Sequence, residues 1–401
     1  MRILLIHQNF PGQFRHLAEH LKQGPQHQLK VICQPKAPKL TGIETLEYQP
    51  VRNPSPNTHH YNRGLEAHTL NGQAVVKELL KLNQSGFQPD IVVAHAAWGE
   101  ALYVKDVFPQ TKLIGFFELY YKAFGTDSDF DPEFPLALDD VLRIRNKNTT
   151  HLLSLEAVDA GICPTQFQKN TFPPEFQHKL NLIHEGINTE LAKPNGKASY
   201  QLPNGAILTA DDEVITYVSR NLEPYRGFHQ WMRAVEIICQ RRPNAQILII
   251  GGDNINYGRK LAKGDTWRQR MLKEVRIDES RVHFLGQVSY LQYLQALQIS
   301  SAHIYLTVPF VLSWSMLEAM ATECAVIASN TPPVSEVIKH GKNGLLVDFF
   351  SPKEIADAVD KLLDNPKKYQ KMRQAARKTV LDNYTIQQGI ERYMDLFELV
   401  S

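Results

Sequence analysis

The 401-residue chain reads as an α/β protein of two domains, each a parallel sheet with helices on both faces. Two observations carry this expectation. Short apolar runs alternate with longer helical patterns, which is how successive strand–helix–strand units appear in sequence. The alternation also breaks once, across an aperiodic stretch, and then restarts; a chain of this length usually forms two domains of roughly 100–200 residues each.

In the first half the apolar runs are Ile3–Ile6, Leu29–Cys33, Ile91–Ala94, Lys112–Phe117, Ala160–Cys163 and Leu180–Ile183. Helical patterns lie between them at Gln13–Lys22, Gly64–Asn83, Glu100–Val107 and Leu136–Asn146. Residues Thr189 to Asp212 carry two prolines, several Asn and Gly and little periodicity, so they read as a linker. Strand-like runs resume at Val214–Val218, Gln246–Ile250, Val282–Leu285, His303–Thr307 and Cys324–Ala328. Helical patterns at Pro352–Asn365, Lys371–Asn383 and Thr385–Leu399 end the chain. The expected division is 1–190, 191–380 and a last helix over 381–401 that packs back across the domain boundary.

Composition narrows the function classes. Hydrophobic residues make up 43% and charged residues 21%, an ordinary globular balance. Lys plus Arg is 44 against Asp plus Glu 42, so the basic stripe of a nucleic-acid binder is not expected. Cys33, Cys163, Cys239 and Cys324 are far apart with no zinc-type spacing, and read as free thiols of a cytoplasmic protein. No stretch approaches the roughly 18 apolar residues of a membrane span, and Ile3–Ile6 reads as a buried strand instead of a signal segment. Peripheral contact with the inner face of a membrane stays open. Lys122, Arg143, Arg145 and Lys147 make a basic face that would suit an anionic ligand or a membrane surface, or is simply solvated.

Ligands of open parallel sheets bind beyond the carboxyl ends of the strands. Ser219-Arg220-Asn221-Leu222-Glu223-Pro224-Tyr225-Arg226-Gly227 joins a strand end to a helix start, so Arg220 and Arg226 are candidates for gripping a diphosphate. The alternative is a pair of surface arginines. Pro309–Ala321 also opens a helix after a strand. There the backbone amides of Leu312, Ser313, Trp314 and Ser315 could bind phosphate or sugar oxygens. Glu318 could accept from ribose hydroxyls, or close a capping box with Ser315. Glu118 and His95 each stand at a strand's end. Each is a candidate for chemistry or a hydrogen-bonded scaffold residue. His59-His60 has no further ligand at metal spacing.

At these motifs the chain resembles the retaining nucleotide-sugar glycosyltransferases of family 4, which have two Rossmann-like domains facing across a cleft (the GT-B fold). The resemblance covers essentially the whole chain. It is carried by the Arg220…Arg226-Gly227 loop, Ile249-Ile250-Gly251-Gly252-Asp253, Val282-His283-Phe284-Leu285-Gly286, Leu317-Glu318-Ala319-Met320-Ala321 and Asn343-Gly344-Leu345-Leu346-Val347. In the first half Phe10-Pro11-Gly12-Gln13-Phe14-Arg15, Phe117-Glu118-Leu119-Tyr120-Tyr121 and His184-Glu185-Gly186-Ile187-Asn188 resemble one branch of the family.

The resemblance implies an enzyme that moves a sugar from a UDP- or GDP-sugar to a glycan, lipid-linked glycan or small-molecule acceptor. Configuration would be retained and neither metal nor separate cofactor needed. Arg220 and Arg226 would contact the diphosphate, and Glu318 the ribose. Leu312 to Ser315 would present amides to the donor, and Gly251, Gly252 and the segment around His283 would line the base. Gly12 would let backbone approach phosphate. His95, Trp98 and Tyr120 would lie on the acceptor side. The family's usual lysine is Arg226 here, its catalytic-region histidine falls on Glu118, and the first acid of its Glu-x7-Glu motif falls on Phe310. Rival readings are a nucleotide-sugar epimerase, separated by product analysis without acceptor, and a non-catalytic nucleotide-sugar binder, separated by binding without turnover. A dinucleotide dehydrogenase is disfavoured, because His7-Gln8-Asn9-Phe10-Pro11-Gly12 lacks G-x-G-x-x-G.

Overall fold

The computed structural model describes all residues 1–401. They form two compact units, Met1–Gly186 together with Ile386–Ser401, and Ile187–Thr385.

The first unit is built on seven strands: β1 (Arg2–Ile6), β2 (Gln28–Cys33), β3 (Glu44–Glu47), β4 (Ile91–His95), β5 (Lys112–Phe116), β6 (Ala160–Cys163) and β7 (Leu180–Leu182). They pair in the order β3-β2-β1-β4-β5-β6-β7, every pair parallel. The central strands are continuous apolar runs because helices cover both faces. Ile3, Leu4, Leu5, Ile6 and Ile91 to Ala94 are fully buried. Leu4 and Ile6 face one core, and Ile3 and Leu5 the other. The helix Ile386–Val400 completes the second of these cores with Tyr393, Leu396 and Phe397.

The second unit opens with an antiparallel hairpin, β8 (Ser199–Gln201) and β9 (Ile207–Thr209). Its six-stranded sheet comprises β10 (Val214–Asn221), β11 (Gln246–Gly252), β12 (Val282–Gly286), β13 (Ala302–Tyr305), β14 (Val326–Ser329) and β15 (Leu345–Val347). The order is β12-β11-β10-β13-β14-β15, again all parallel. In each sheet the order reverses beside one strand, β1 in the first and β10 in the second. Chain leaving the carboxyl end there has no crossover above it, which opens a crevice at that point.

Several elements differ from expectation. The stretch read as linker holds the β8–β9 hairpin, in which Tyr200 and Leu208 are buried. The helix expected over Glu100–Val107 is reduced to Val104–Val107. Glu100 instead turns inward, where its carboxylate accepts from Tyr48 Oη at 2.7 Å. The pattern at Leu136–Asn146 becomes Leu138–Lys147, and a second helix, Thr149–Ala157, follows at once. β3 and β15 are additional edge strands. No helix is long and apolar enough to cross a membrane.

Burial makes the fold acid-sensitive. His7, His151 and His303 are 2% exposed or less, and desolvation lowers each from 6.5 to about 3. A depressed folded-state value means that the unfolded chain takes the proton first, so stability present above pH 6.5 is lost as pH falls toward 3. Each such histidine should cost roughly 2 kcal/mol by pH 5. Thermal midpoints measured from pH 7.5 to pH 4.5 should fall steeply below pH 6.5, and His303→Gln should flatten the part belonging to the second unit.

Candidate functional site

Two clusters stand at the carboxyl ends of the strands, one in each unit, and each lies where the strand order reverses.

In the first unit Ile6 pairs with Ala94 in register, so His7, just past β1, and His95, the last residue of β4, come side by side. Glu118 lies two residues past β5. His7, fully buried, accepts the Asn9 backbone N–H at Nδ1 (3.0 Å), and its Nε2 lies 2.8 Å from Gln13 Oε1. The Gln13 amide nitrogen donates to Glu118 Oε1 at 2.6 Å. His95 Nε2 lies 3.7 Å from Glu118 Oε2, and the His95 ring stacks on Trp98 at 3.8 Å and 8°. Burial pushes the Glu118 carboxyl up, but His95 and Gln13 outweigh it and hold it below the ordinary glutamate value. The arrangement keeps Glu118 anionic, with its side chain 29% exposed. His95 itself is 0% exposed; its Nδ1 accepts the Ala97 backbone N–H at 3.3 Å, and its ring also meets His7 and Phe116, so its contacts are within the protein and not with solvent. Tyr120 is half-buried; its backbone N–H donates to Thr171 Oγ1 at 3.0 Å and its ring lies 5.7 Å from Phe172. Gly12 has φ +43°, and a Cβ there would lie 2.6 Å from the His7 imidazole. The close approach that this glycine permits is therefore to His7.

In the second unit the two arginines are not equivalent. The pairing of β10 with β11 slips between Val218 and Asn221, and Arg220, within that irregularity, is exposed without an ion pair. Arg226 lies in a short 3₁₀ turn and is only 9% exposed. Its Nη1 donates to Thr307 Oγ1 (2.8 Å) and Tyr305 Oη (3.3 Å), both at the end of β13. The faces of Tyr257 and Phe310 lie 5.8 and 5.7 Å from the guanidinium carbon. No carboxylate pairs with it. Gly227 ends the turn at φ +66°, where a Cβ would meet Leu306 Cβ at 2.5 Å.

Phe310 packs edge-on against Tyr225 and Tyr257 at 5.4 and 4.9 Å. Tyr257 is carried on a segment that Glu223 gathers: its buried carboxylate accepts backbone N–H groups from Asn256 (3.3 Å), Tyr257 and Gly258 (both 3.1 Å). Glu223→Ala should free this segment, and limited proteolysis within 254–263 should become at least severalfold faster while the thermal midpoint moves little.

The capping alternative for Glu318 does not hold. The helix Trp314–Ala321 is capped by Ser313, whose Oγ accepts from Ser315 N at 3.3 Å. The Glu318 carboxylate instead accepts from Tyr290 Oη (2.7 Å) and Tyr293 Oη (2.8 Å), and burial holds its carboxyl above the ordinary range against those bonds. In the turn before it, Ser313 N donates to Tyr305 Oη at 2.8 Å, which ties the turn to Arg226's partner. Leu312 is buried and Trp314 exposed.

Gly251 and Gly252 close β11. A Cβ at Gly251 would lie 2.8 Å from Ser219 O, and one at Gly252 2.6 Å from Asn221 Oδ1, so both let the ends of β10 and β11 approach. His283 is not brought to this end. It is the second residue of β12, and its Nε2 lies 2.9 Å from Oε1 of Gln246, the first residue of β11. Strand register therefore puts it at the amino side of the sheet, and its expected place beside the nucleotide base is corrected.

The sequence reading did not single out His7, Gln13, Glu223, Thr307 or the tyrosines at 257, 290 and 293 for these contacts. His7 had a usable signal, since it directly follows the first strand. The tyrosines had none, because they sit on segments remote in sequence from the residues they hold.

Known proteins place this architecture. Residues 25–192 match the family model described as glycosyl transferase family 4 group, and residues 205–379 match glycosyl transferases group 1. The chain is 23% identical over 243 residues to spore coat protein SA of Bacillus subtilis, covering 56% of this chain and 60% of that protein. It is 28% identical over 192 residues to D-inositol 3-phosphate glycosyltransferase of Corynebacterium glutamicum, covering 47% and 44%. The matched region thus spans about half the length of these curated relatives. Among solved structures the fold resembles sucrose-phosphate synthase of Thermosynechococcus elongatus (TM-score 0.73, 16% identity, 100% and 99% of the two chains). It also resembles Anabaena HepE in complex with UDP-glucose (TM-score 0.69, 16% identity, 99% of each chain). With two parallel-sheet Rossmann-like units of the GT-B type and both halves matched by such models, the chain belongs to the glycosyltransferases, with a family 4 group domain in its first half and a group 1 domain in its second.

Proposed function

We propose that this protein transfers a glycosyl group from a nucleoside-diphosphate sugar to an acceptor, with retention of anomeric configuration and without a metal ion. The observation that carries the proposal is Arg226. A buried guanidinium held only by hydroxyls and ring faces is short of negative charge, and burying a cation without an anionic partner is costly. A donor diphosphate supplies the missing anion. The exposed Arg220 adds to the same attraction. Charge that grows on the leaving nucleotide is offset by groups already in place, which is usually the largest catalytic contribution. Glu318, already fixed by two tyrosines, has the acceptor oxygens that a ribose diol needs.

Glu118 is the group in the first unit suited to stabilise positive charge at the sugar carbon as the donor bond lengthens. The acceptor hydroxyl would attack from the face that the leaving group vacates. UDP or UDP-glucose bound to HepE supports a uridine nucleotide as the first donor to try. The acceptor is a glycan, a lipid-linked glycan or a small molecule, and a soluble or peripherally membrane-associated protein fits equally.

The test begins with thermal shifts against UDP, GDP, UDP-glucose and GDP-mannose with EDTA present. A ligand at 100 times its dissociation constant adds about 2.7 kcal/mol, a readily visible shift. No shift with any nucleotide overturns the donor site. With the donor found, Glu118→Gln should bind it normally and lose transfer, and the anomeric configuration of the product, read by NMR, decides retention.

A further inference from the structure

We propose that His7 is a positioning residue for Glu118: acting through Gln13, its Nε2–H decides which way the Gln13 amide faces, so that an N–H group and not a carbonyl meets the carboxylate. This deepens the function proposed above and rests on its reading of Glu118.

The direction follows from one fixed donor. The Asn9 backbone N–H can only donate, so the His7 Nδ1 that receives it at 3.0 Å carries a lone pair. In the neutral ring the proton is then on Nε2, which faces Gln13 Oε1 at 2.8 Å. With its oxygen committed, Gln13 has only its amide nitrogen left for Glu118 Oε1, and that nitrogen lies at 2.6 Å. Turning the amide over would set its oxygen against a carboxylate oxygen and its NH₂ against the imidazole N–H, and would lose both bonds. The three side chains therefore form one directed series from main chain to carboxylate.

The surroundings leave His7 no other orientation. Gly12 has no Cβ to collide with the ring. Phe14, His95 and Trp98 stand edge-on around it, with centroids at 5.3, 5.1 and 5.3 Å. Within this unit the titratable groups that act on Glu118 are His7, His95 at the end of β4 and His151 on helix Thr149–Ala157. His95 addresses Oε2 from 3.7 Å. Only the Gln13 bond to Oε1 depends on how an amide is turned.

The experiment uses the full chain and needs no substrate. Long-range ¹⁵N–¹H spectra of the wild-type protein should show neutral His7 protonated at Nε2; protonation at Nδ1 overturns the proposal without any variant. The Glu118 carboxyl, identified as the ¹³C resonance missing in Glu118→Gln, is then titrated in two variants. His7→Gln keeps an amide N–H where Nε2–H stood and should titrate like wild type. His7→Asn can replace only the Nδ1 acceptor, and should raise the Glu118 midpoint by about one pH unit, equivalent to a tenfold weaker preference for the anion. An unchanged midpoint in His7→Asn overturns the proposal, as does a raised one in His7→Gln. Because the titration is read without donor or acceptor, its outcome stands apart from whether Glu118→Gln loses transfer, which alone decides the catalytic reading.

Discussion

Arg226→Met should lower donor affinity by about 10²–10³-fold, within the roughly 2–5 kcal/mol that truncating one partner of a buried, hydrogen-bonded charge pair costs. It should cost the fold far less. Methionine is close in length and suits the ring faces of Tyr257 and Phe310. The partners left behind keep other bonds: Tyr305 Oη still accepts from Ser313 N at 2.8 Å, and Thr307 Oγ1 still donates to Val308 O at 3.0 Å. A net loss of about 1 kcal/mol is expected for the two hydrogen bonds. It is partly offset, because a buried cation without a carboxylate no longer needs to be accommodated. In the absence of nucleotide the variant should therefore melt close to wild type. With saturating UDP, only the wild type should gain stability.

Arg226→Lys is the sharper control. It keeps the charge and loses the planar fork. If Thr307 and Tyr305 hold the ammonium in place, few donors remain for phosphate, and an intermediate affinity is expected. Arg220→Met removes an exposed arginine without ion pairs, so any loss of affinity there is attributable to the ligand alone. Wild-type UDP affinity in Arg226→Met, measured by calorimetry, would remove the main support for a diphosphate site in this unit.

Why the sequence pointed to these arginines but not to their difference is a matter of what each signal encodes. Strand identity was legible where both faces of a strand are covered, as in Ile3–Ile6 or Ile91–Ala94, since burial on both sides demands an unbroken apolar run. The edge strand Glu44–Glu47 has glutamates at both ends and no such demand. The hairpin β8–β9 buries one tyrosine and one leucine in a Pro/Asn/Gly-rich stretch, too little to stand out. Strand ends in turn located Glu118, His95 and the loop from Arg220 to Gly227, because carboxyl ends are where open sheets bind ligands.

What stayed hidden depended on contacts far apart in the chain. The Glu318 carboxylate meets hydroxyls 25 and 28 residues away on another helix, and its spacing from Ser315 pointed to the wrong partner. His283 lies inside a segment that matches a family, but a motif does not say which end of a strand a given side chain occupies. Burial of Arg226 could not be read either, since Thr307 and Tyr305 are brought to it by the adjacency of β10 and β13.

Gly99→Ala should be the most damaging single methyl addition in the first unit, and should show how the Glu118 cluster depends on packing outside it. Gly99 has φ +96°, and a Cβ there would lie 2.0 Å from the carbonyl oxygen of His68 and 2.5 Å from its carbon. That contact is with the backbone of helix Arg63–Gln84, so no side-chain rotation relieves it. Gly125→Ala provides the comparison: φ is +77°, yet the added Cβ meets nothing within 4 Å. The left-handed conformation alone costs an alanine roughly 1–2 kcal/mol, which is the full effect expected at Gly125. At Gly99 the overlap adds to it, and a further loss of about 1–3 kcal/mol is expected as the segment 96–100 moves away from the helix. That segment carries Trp98, stacked on His95, and Glu100, bonded to Tyr48. Displacing it withdraws the support behind His95 and, through it, one of the two contacts on Glu118. Transfer should therefore fall by more than the loss of folded protein accounts for, while UDP affinity, set in the other unit, stays unchanged. A Gly99→Ala protein as stable as Gly125→Ala, by urea unfolding followed through tryptophan fluorescence, would mean that the helix Arg63–Gln84 yields to the methyl group and that the cluster is not held from behind.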